Sequence, residues 1–119
     1  MELDDIYEEL LVLVSDYGAQ VDTPIESEHF FEALIKEFDG TQSEFLLFVQ
    51  DNLPNWYRSV PENGPNWIQD AEWQFHDGKP MLFLGEIKVP KSAGVFHDDA
   101  AVFIFLSESG ISKSVIQVA

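Results

Sequence analysis

Apolar residues at Leu3, Ile6, Tyr7, Leu10, Leu11, Val14 and Tyr17 recur at i, i+3, i+4 and i+7. That spacing predicts an amphipathic helix. Glu2, Asp4 and Asp5 stand at its start, where they complement the helix dipole, and Gly18 is a C-terminal stop. A second stripe, Ile25, His29, Phe30, Ala33, Leu34 and Phe38, follows Thr23-Pro24-Ile25-Glu26. Thr23 suits the cap, Pro24 the first helical position, and Glu26 the far side of a capping box. Asp39-Gly40 closes this helix, and Glu32 and Lys36 stand in the favourable i, i+4 order. Thr41-Gln42-Ser43-Glu44 is another capping box. Phe45, Leu46, Phe48, Val49 and Leu53 then predict a third helix that ends before Pro54. Residues 44–50 also fit a buried strand, and periodicity over so short a run leaves both open.

Residues 54–71 read as a loop of Pro, Asn and Gly with Trp56, Tyr57 and Trp67 among them. Pro54-Asn55-Trp56 is echoed by Pro65-Asn66-Trp67, a spacing too short for a solenoid unit. Beyond it the pattern turns to β. Glu72-Trp73-Gln74-Phe75 alternates, and Asp77-Gly78 is a strong hairpin signal. Met81 to Val89, Ala101 to Leu106 and Ser114 to Val118 follow as strands joined by short turns. Helices first and strands second is the α+β order. The expectation is one domain over 1–119, with about three N-terminal helices packed on a C-terminal four-stranded, mostly antiparallel sheet. It divides into a helical part (1–53), an aromatic and proline loop (54–71) and a β meander (72–119). The last strand is a candidate open edge, able to support a homodimer.

Charge narrows the function. The 119 residues hold 22 acids and 6 bases, a formal net charge of −16. With 45% hydrophobic residues the chain has enough apolar material for a core, which a disordered acidic tail lacks. Nucleic-acid readers need Lys and Arg to displace counterions, so direct nucleic-acid binding is not expected, and neither is adhesion to anionic lipid. Cysteine is absent, which excludes disulfides and thiol-ligated metal. The start lacks the basic and apolar segments of a signal peptide, and no apolar run approaches the ~18 residues of a membrane span. A cytoplasmic protein is the expectation. The charge is also uneven: residues 1–60 hold 14 acids and 2 bases, and residues 61–119 hold 8 acids and 4 bases.

Gly78-Lys79-Pro80-Met81-Leu82-Phe83-Leu84-Gly85-Glu86-Ile87 resembles the core strand of the YwqG-like family of bacterial proteins. Trp67 and Trp73 stand where that family places its preceding aromatic segment, and Phe103-Ile104-Phe105 is a looser counterpart of a later strand. Glu86 stands where the family usually has Gln. The resemblance covers residues 65–106. It implies a sheet-based fold and brings no activity with it. In size and acidity, though not in motif, the chain resembles the immunity proteins that neutralise secreted toxins.

Three constellations carry candidate chemistry. Asp4/Glu8, Asp5/Glu9 and Glu28/Glu32 are like-charge i, i+4 pairs, each costing roughly 0.2–0.5 kcal/mol in an isolated helix. They read as a surface steering a basic partner, or as a plain solvated face. Trp56 and Trp67 are of the type that anchors interfaces, or they close the edge between helices and sheet. Phe75-His76-Asp77 and Phe96-His97-Asp98 place two His and two carboxylates in turns. If both turns lie at one end of the sheet, His76, Asp77, His97 and Asp98 are candidates for a divalent metal or an acid–base pair. No cofactor is expected. The resulting expectation is a non-enzymatic immunity or inhibitor protein that occludes a basic toxin, such as a nuclease, through Glu8, Glu9, Glu28, Glu32, Trp56 and Trp67. A small metal-dependent enzyme using the two His-Asp turns is the first alternative, and an acidic interaction module is the second.

Overall fold

The computed structural model describes residues 1–119. Three helices come first: α1 (Leu3–Tyr17), α2 (Ile25–Glu37) and α3 (Gln42–Trp56). Residues 44–50 are therefore helical. Local chemistry explains most of the ends. The Glu2 N–H donates to Asp5 Oδ2 at 2.8 Å, and Thr41 and Glu44 form the reciprocal box, at 3.2 Å and 3.1 Å. Gly18 takes a left-handed φ of 88° and donates its N–H to Ser15 O, as a glycine stop should.

Two ends depart from expectation. Thr23 does not cap α2: Pro24 occupies the cap, with φ −67° and ψ 164°, and the helix starts at Ile25 without a side-chain cap bond. α3 runs through Pro54 to Trp56. Pro54 lies in the last turn, so its missing N–H leaves only the carbonyl of exposed Gln50 without its i+4 donor. Burial of Leu53 and Tyr57 holds that final turn on the core.

The strands are β1 (Phe75–His76), β2 (Lys79–Pro80), β3 (Leu82–Val89), β4 (Ala100–Leu106) and β5 (Ser112–Val118). They form two sheets, an antiparallel ribbon β1-β2 and an antiparallel three-stranded sheet β3-β4-β5. The expected four-stranded sheet is corrected to this arrangement of two plus three. The reason is tertiary. The chain around Ser59 takes the edge of β3, with Val60 N–H donating to Phe83 O and Phe83 N–H to Arg58 O, both at 2.9 Å. Residues 72–73 turn instead to the end of α1, where Gln20 bridges Glu72 and Trp73 N–H donates to Ala19 O. The Asp77-Gly78 turn forms as read, with φ of 51° and 69°, the double positive that a two-residue hairpin requires.

The helices pack on one another, α2 packs also on β1 and β2, and helix and sheet residues share one core. Between helices and sheet runs the aromatic segment. Trp73 stands edge-on to Tyr57 and to Phe105, each at 5.4 Å, and Trp67 lies over Phe103 at 4.7 Å. Their indole N–H groups donate to Met81 O and Gly18 O, both at 2.8 Å. Gln117 on β5, 1% exposed, fastens the segment from the sheet side. Its Oε1 accepts from Ile68 N and Gln69 N, and its Nε2 donates to Asp70 O and Glu72 Oε2.

Strand alternation gives the sheet two unlike faces. Ala101, Phe103 and Phe105 of β4 point into the core. The other face is built of cross-strand rows: Leu82, Leu106 and Ser112; Leu84 and Gly85 at a bulge beside Ile104 and Ser114; Ile87, Val102 and Ile116; Val89, Ala100 and Val118. β5 stands at the open edge.

Replacing Gln117 by Leu keeps the volume and removes all four bonds, and should cost about 2 kcal/mol, read from the urea midpoint. Gln117→Glu should cost more, because a carboxylate would then face Glu72 Oε2 and a backbone carbonyl.

Candidate functional site

The carboxylates of the helical part are the feature around which a site is built. Ile6, Leu10 and Val14 turn one side of α1 inward, and Ser27 and Phe31 do so for α2. The start of α1 meets the end of α2, and Glu2, Asp4, Glu32 and Lys36 line one cleft of ≈ 370 Å³ there. Glu8 lies one turn beyond Asp4 on α1, and Glu28 one turn before Glu32 on α2. The two antiparallel helices thus carry their acids in adjacent rows. Glu9 is not in that row. It follows Glu8 by one residue, about 100° around the helix, and belongs with Asp5 on the other flank. Glu8, Glu9 and Glu32 are exposed and Glu28 is half-buried. Glu2 and Asp4, which read as dipole partners in the sequence, join this cleft only because α2 folds back beside them.

Few of these charges are neutralised. The chain holds two close pairs, His76 Nε2 with Asp77 Oδ2 at 3.4 Å and Lys79 Nζ with Glu108 Oε2 at 3.8 Å. None of the 14 carboxylates of residues 1–60 lies within 4.0 Å of a basic nitrogen. Lys36 does not close on Glu32, contrary to the i, i+4 expectation. Glu44 is held below the usual carboxylate range by its hydrogen bonds with Thr41, which makes it a structural cap.

The two tryptophans proposed as contacts are half-buried, each with part of its ring packed on the interior. Trp56, at the end of α3, stands edge-on to Phe30 at 5.3 Å and to Phe48 at 5.6 Å. Trp67 is half-buried and spends one face on Phe103 and Phe105. Beside it a cleft of ≈ 380 Å³ opens between the ends of α1 and α3, walled by Tyr17, Pro54, Pro65 and Trp67. Glu62 is its one charged lining residue, and the sequence reading passed over it. Tyr57 closes the floor. Its ring is 1% exposed, and its hydroxyl stands beside Ser27, whose Oγ already accepts from Gln20 Nε2 at 2.8 Å. The hydroxyl gains no hydrogen bond of good geometry there, and burial pushes its pKa up strongly.

The two Phe-His-Asp triplets are kept apart. His76 and Asp77 share a cleft of ≈ 130 Å³ with Ser107 to Ser109, at the β4–β5 turn. His97 and Asp98 lie in the β3–β4 connection, at the opposite end of the sheet. The seven residues of β4 put roughly 20 Å between these ends. The condition for a shared metal or acid–base set is not met, and no group of three or more His, Asp or Glu side chains is arranged to hold an ion.

No helix is long and apolar enough to cross a membrane. Comparison with protein-family models, curated proteins and solved structures finds no match for this chain.

Two outcomes follow for the isolated protein. Unpaired carboxylates repel, so raising NaCl from about 10 mM to 500 mM should raise the thermal midpoint by several degrees. The double variant Glu28→Gln/Glu32→Gln should show a smaller rise. Tyr57 has a folded pKa above its ordinary 10.0, so its neutral form stabilises the fold fully below pH 10. Stability should fall as pH rises beyond that, and Tyr57→Phe should flatten this alkaline loss in urea titrations from pH 8 to 11.

Proposed function

We propose that this protein is a non-enzymatic binding protein for a basic protein partner, acting as an immunity or inhibitor protein that covers the partner's cationic surface. One observation carries the reading: the helical part presents 14 carboxylates with no basic side chain in ion-pair reach of any of them. Like-charged rows on two adjacent helices oppose folding, and a cationic partner relieves that repulsion. Asp4, Glu8, Glu28 and Glu32 offer acceptors to lysine and arginine, which form charge-assisted bonds to carboxylates. The cleft at Tyr17, Glu62 and Trp67 adds an aromatic wall beside a carboxylate, a setting that favours a cationic side chain. If the partner is a nuclease, carboxylates at these positions take the place of phosphate oxygens. The steering field raises the association rate by ~10–10³ and weakens with salt.

The test uses the immobilised full chain, with extract from the source cells passed over it. The expected result is one basic protein, bound in stoichiometric amount, released above about 0.5 M NaCl and inhibited in its own activity. The triple variant Glu8→Gln/Glu28→Gln/Glu32→Gln should bind it with an association rate about tenfold lower at low salt. Equal binding by the triple variant, or a bound partner that is not basic, overturns the reading.

A further inference from the structure

We infer that the outward face of β3-β4-β5 is a self-association surface, on which a second copy of this chain packs sheet against sheet. Antiparallel sheets with one solvated face alternate apolar and polar residues, so the outer positions should be polar. Here they are aliphatic, with serine only at Ser112 and Ser114. None of the chain's 28 charged residues occupies an outward position in the cross-strand rows. Apart from Ala100, which is 3% exposed, the face is also uncovered. Ile87 is 56% exposed and Ile116 54%, in one row on either side of Val102, and a Cβ added at Gly85 would meet no atom within 4 Å.

Charge argues for a second copy as the occupant. A basic partner finds no carboxylate on this face and is drawn to the helices instead. Two copies of a chain of charge −16 repel one another, and least where carboxylates are fewest. Residues 61–119 hold 4 of the 6 bases and a net charge of −4, against −12 for residues 1–60. An aliphatic sheet face is self-complementary about a two-fold axis, and twisted sheets stack about 10 Å apart in this way.

The area is sufficient for a weak dimer. Strands ~4.8 Å apart with ~3.4 Å per residue give roughly 400 Å² of sheet plane on one copy. Side-chain relief brings two copies to about 1,000 Å² of buried surface, the lower bound for a specific interface. Association in the micromolar range or weaker follows from that size.

Sedimentation equilibrium of the full chain from about 1 µM to 1 mM tests this. The expected mass rises from 13.5 kDa towards twice that value, and 0.5 M NaCl strengthens the association by screening repulsion. Basic-partner binding responds to salt with the opposite sign, so the two proposals fail separately. Ile87→Lys should weaken the dimer at least tenfold with an unchanged circular-dichroism spectrum. Ile87 lies on β3, two strands from the open edge of β5, so its variant separates face packing from edge pairing. A wild-type chain that stays monomeric across the range overturns the inference whatever the variant does. Dimerisation that Ile87→Lys leaves intact overturns it equally.

Discussion

The ring of Trp73 is the contact on which the rest of the structure depends. It is 4% exposed and lies where helices, ribbon and sheet meet. Its backbone N–H reaches the end of α1 at Ala19, and its indole N–H reaches Met81 between β2 and β3. Its faces and edges touch Tyr57 from α3, Phe83 from β3 and Phe105 from β4. One side chain thereby touches helix, ribbon and sheet at once. Aromatic rings suit this position because each buries a large area in a fixed orientation, and tryptophan adds a donor for a carbonyl that would otherwise be orphaned.

That junction lets the helices carry an unfavourable surface. Burial of Phe31, Phe45, Tyr57, Phe83, Phe103 and Phe105 supplies a hydrophobic driving force that is insensitive to surface charge. The outer sides of α1 and α2 are then free to carry acids whose mutual repulsion is small beside it. Anionic character and fold stability therefore reside in different residues. Substituting Glu8 or Glu32 changes the field around the molecule and leaves the core untouched.

The sheet shows a parallel division. Its inner face is spent on the aromatic segment, with Gln117 satisfying four polar groups in a region otherwise apolar. Its outer face is aliphatic and carries no charge. The molecule so presents two surfaces of different physics. One is polar and acidic, and the other is apolar.

Local signals were legible in the amino-acid order. Gly18 as a helix stop, the Thr41–Glu44 box and the Asp77-Gly78 turn each depend on residues within four positions, so spacing alone determined them, as it did the first two helices and the α+β class, while residues 44–50 fitted a strand as well as a helix. The grouping of Glu28 and Glu32 as a row was legible for the same reason. Only the tertiary structure decided whatever required distant residues to meet. The passage of α3 through Pro54 depends on Leu53 and Tyr57 finding a core. The sheet has three strands and a separate ribbon because Arg58 and Val60, over twenty residues earlier, occupy the edge of β3. Trp67 turned inward because Gly18 and Phe103 wait for it, and the two His-Asp turns parted because β4 runs between them. Gln117 gave no sign in the sequence, since a glutamine near a chain end reveals its role only when a loop from 47 to 49 residues away lies against it.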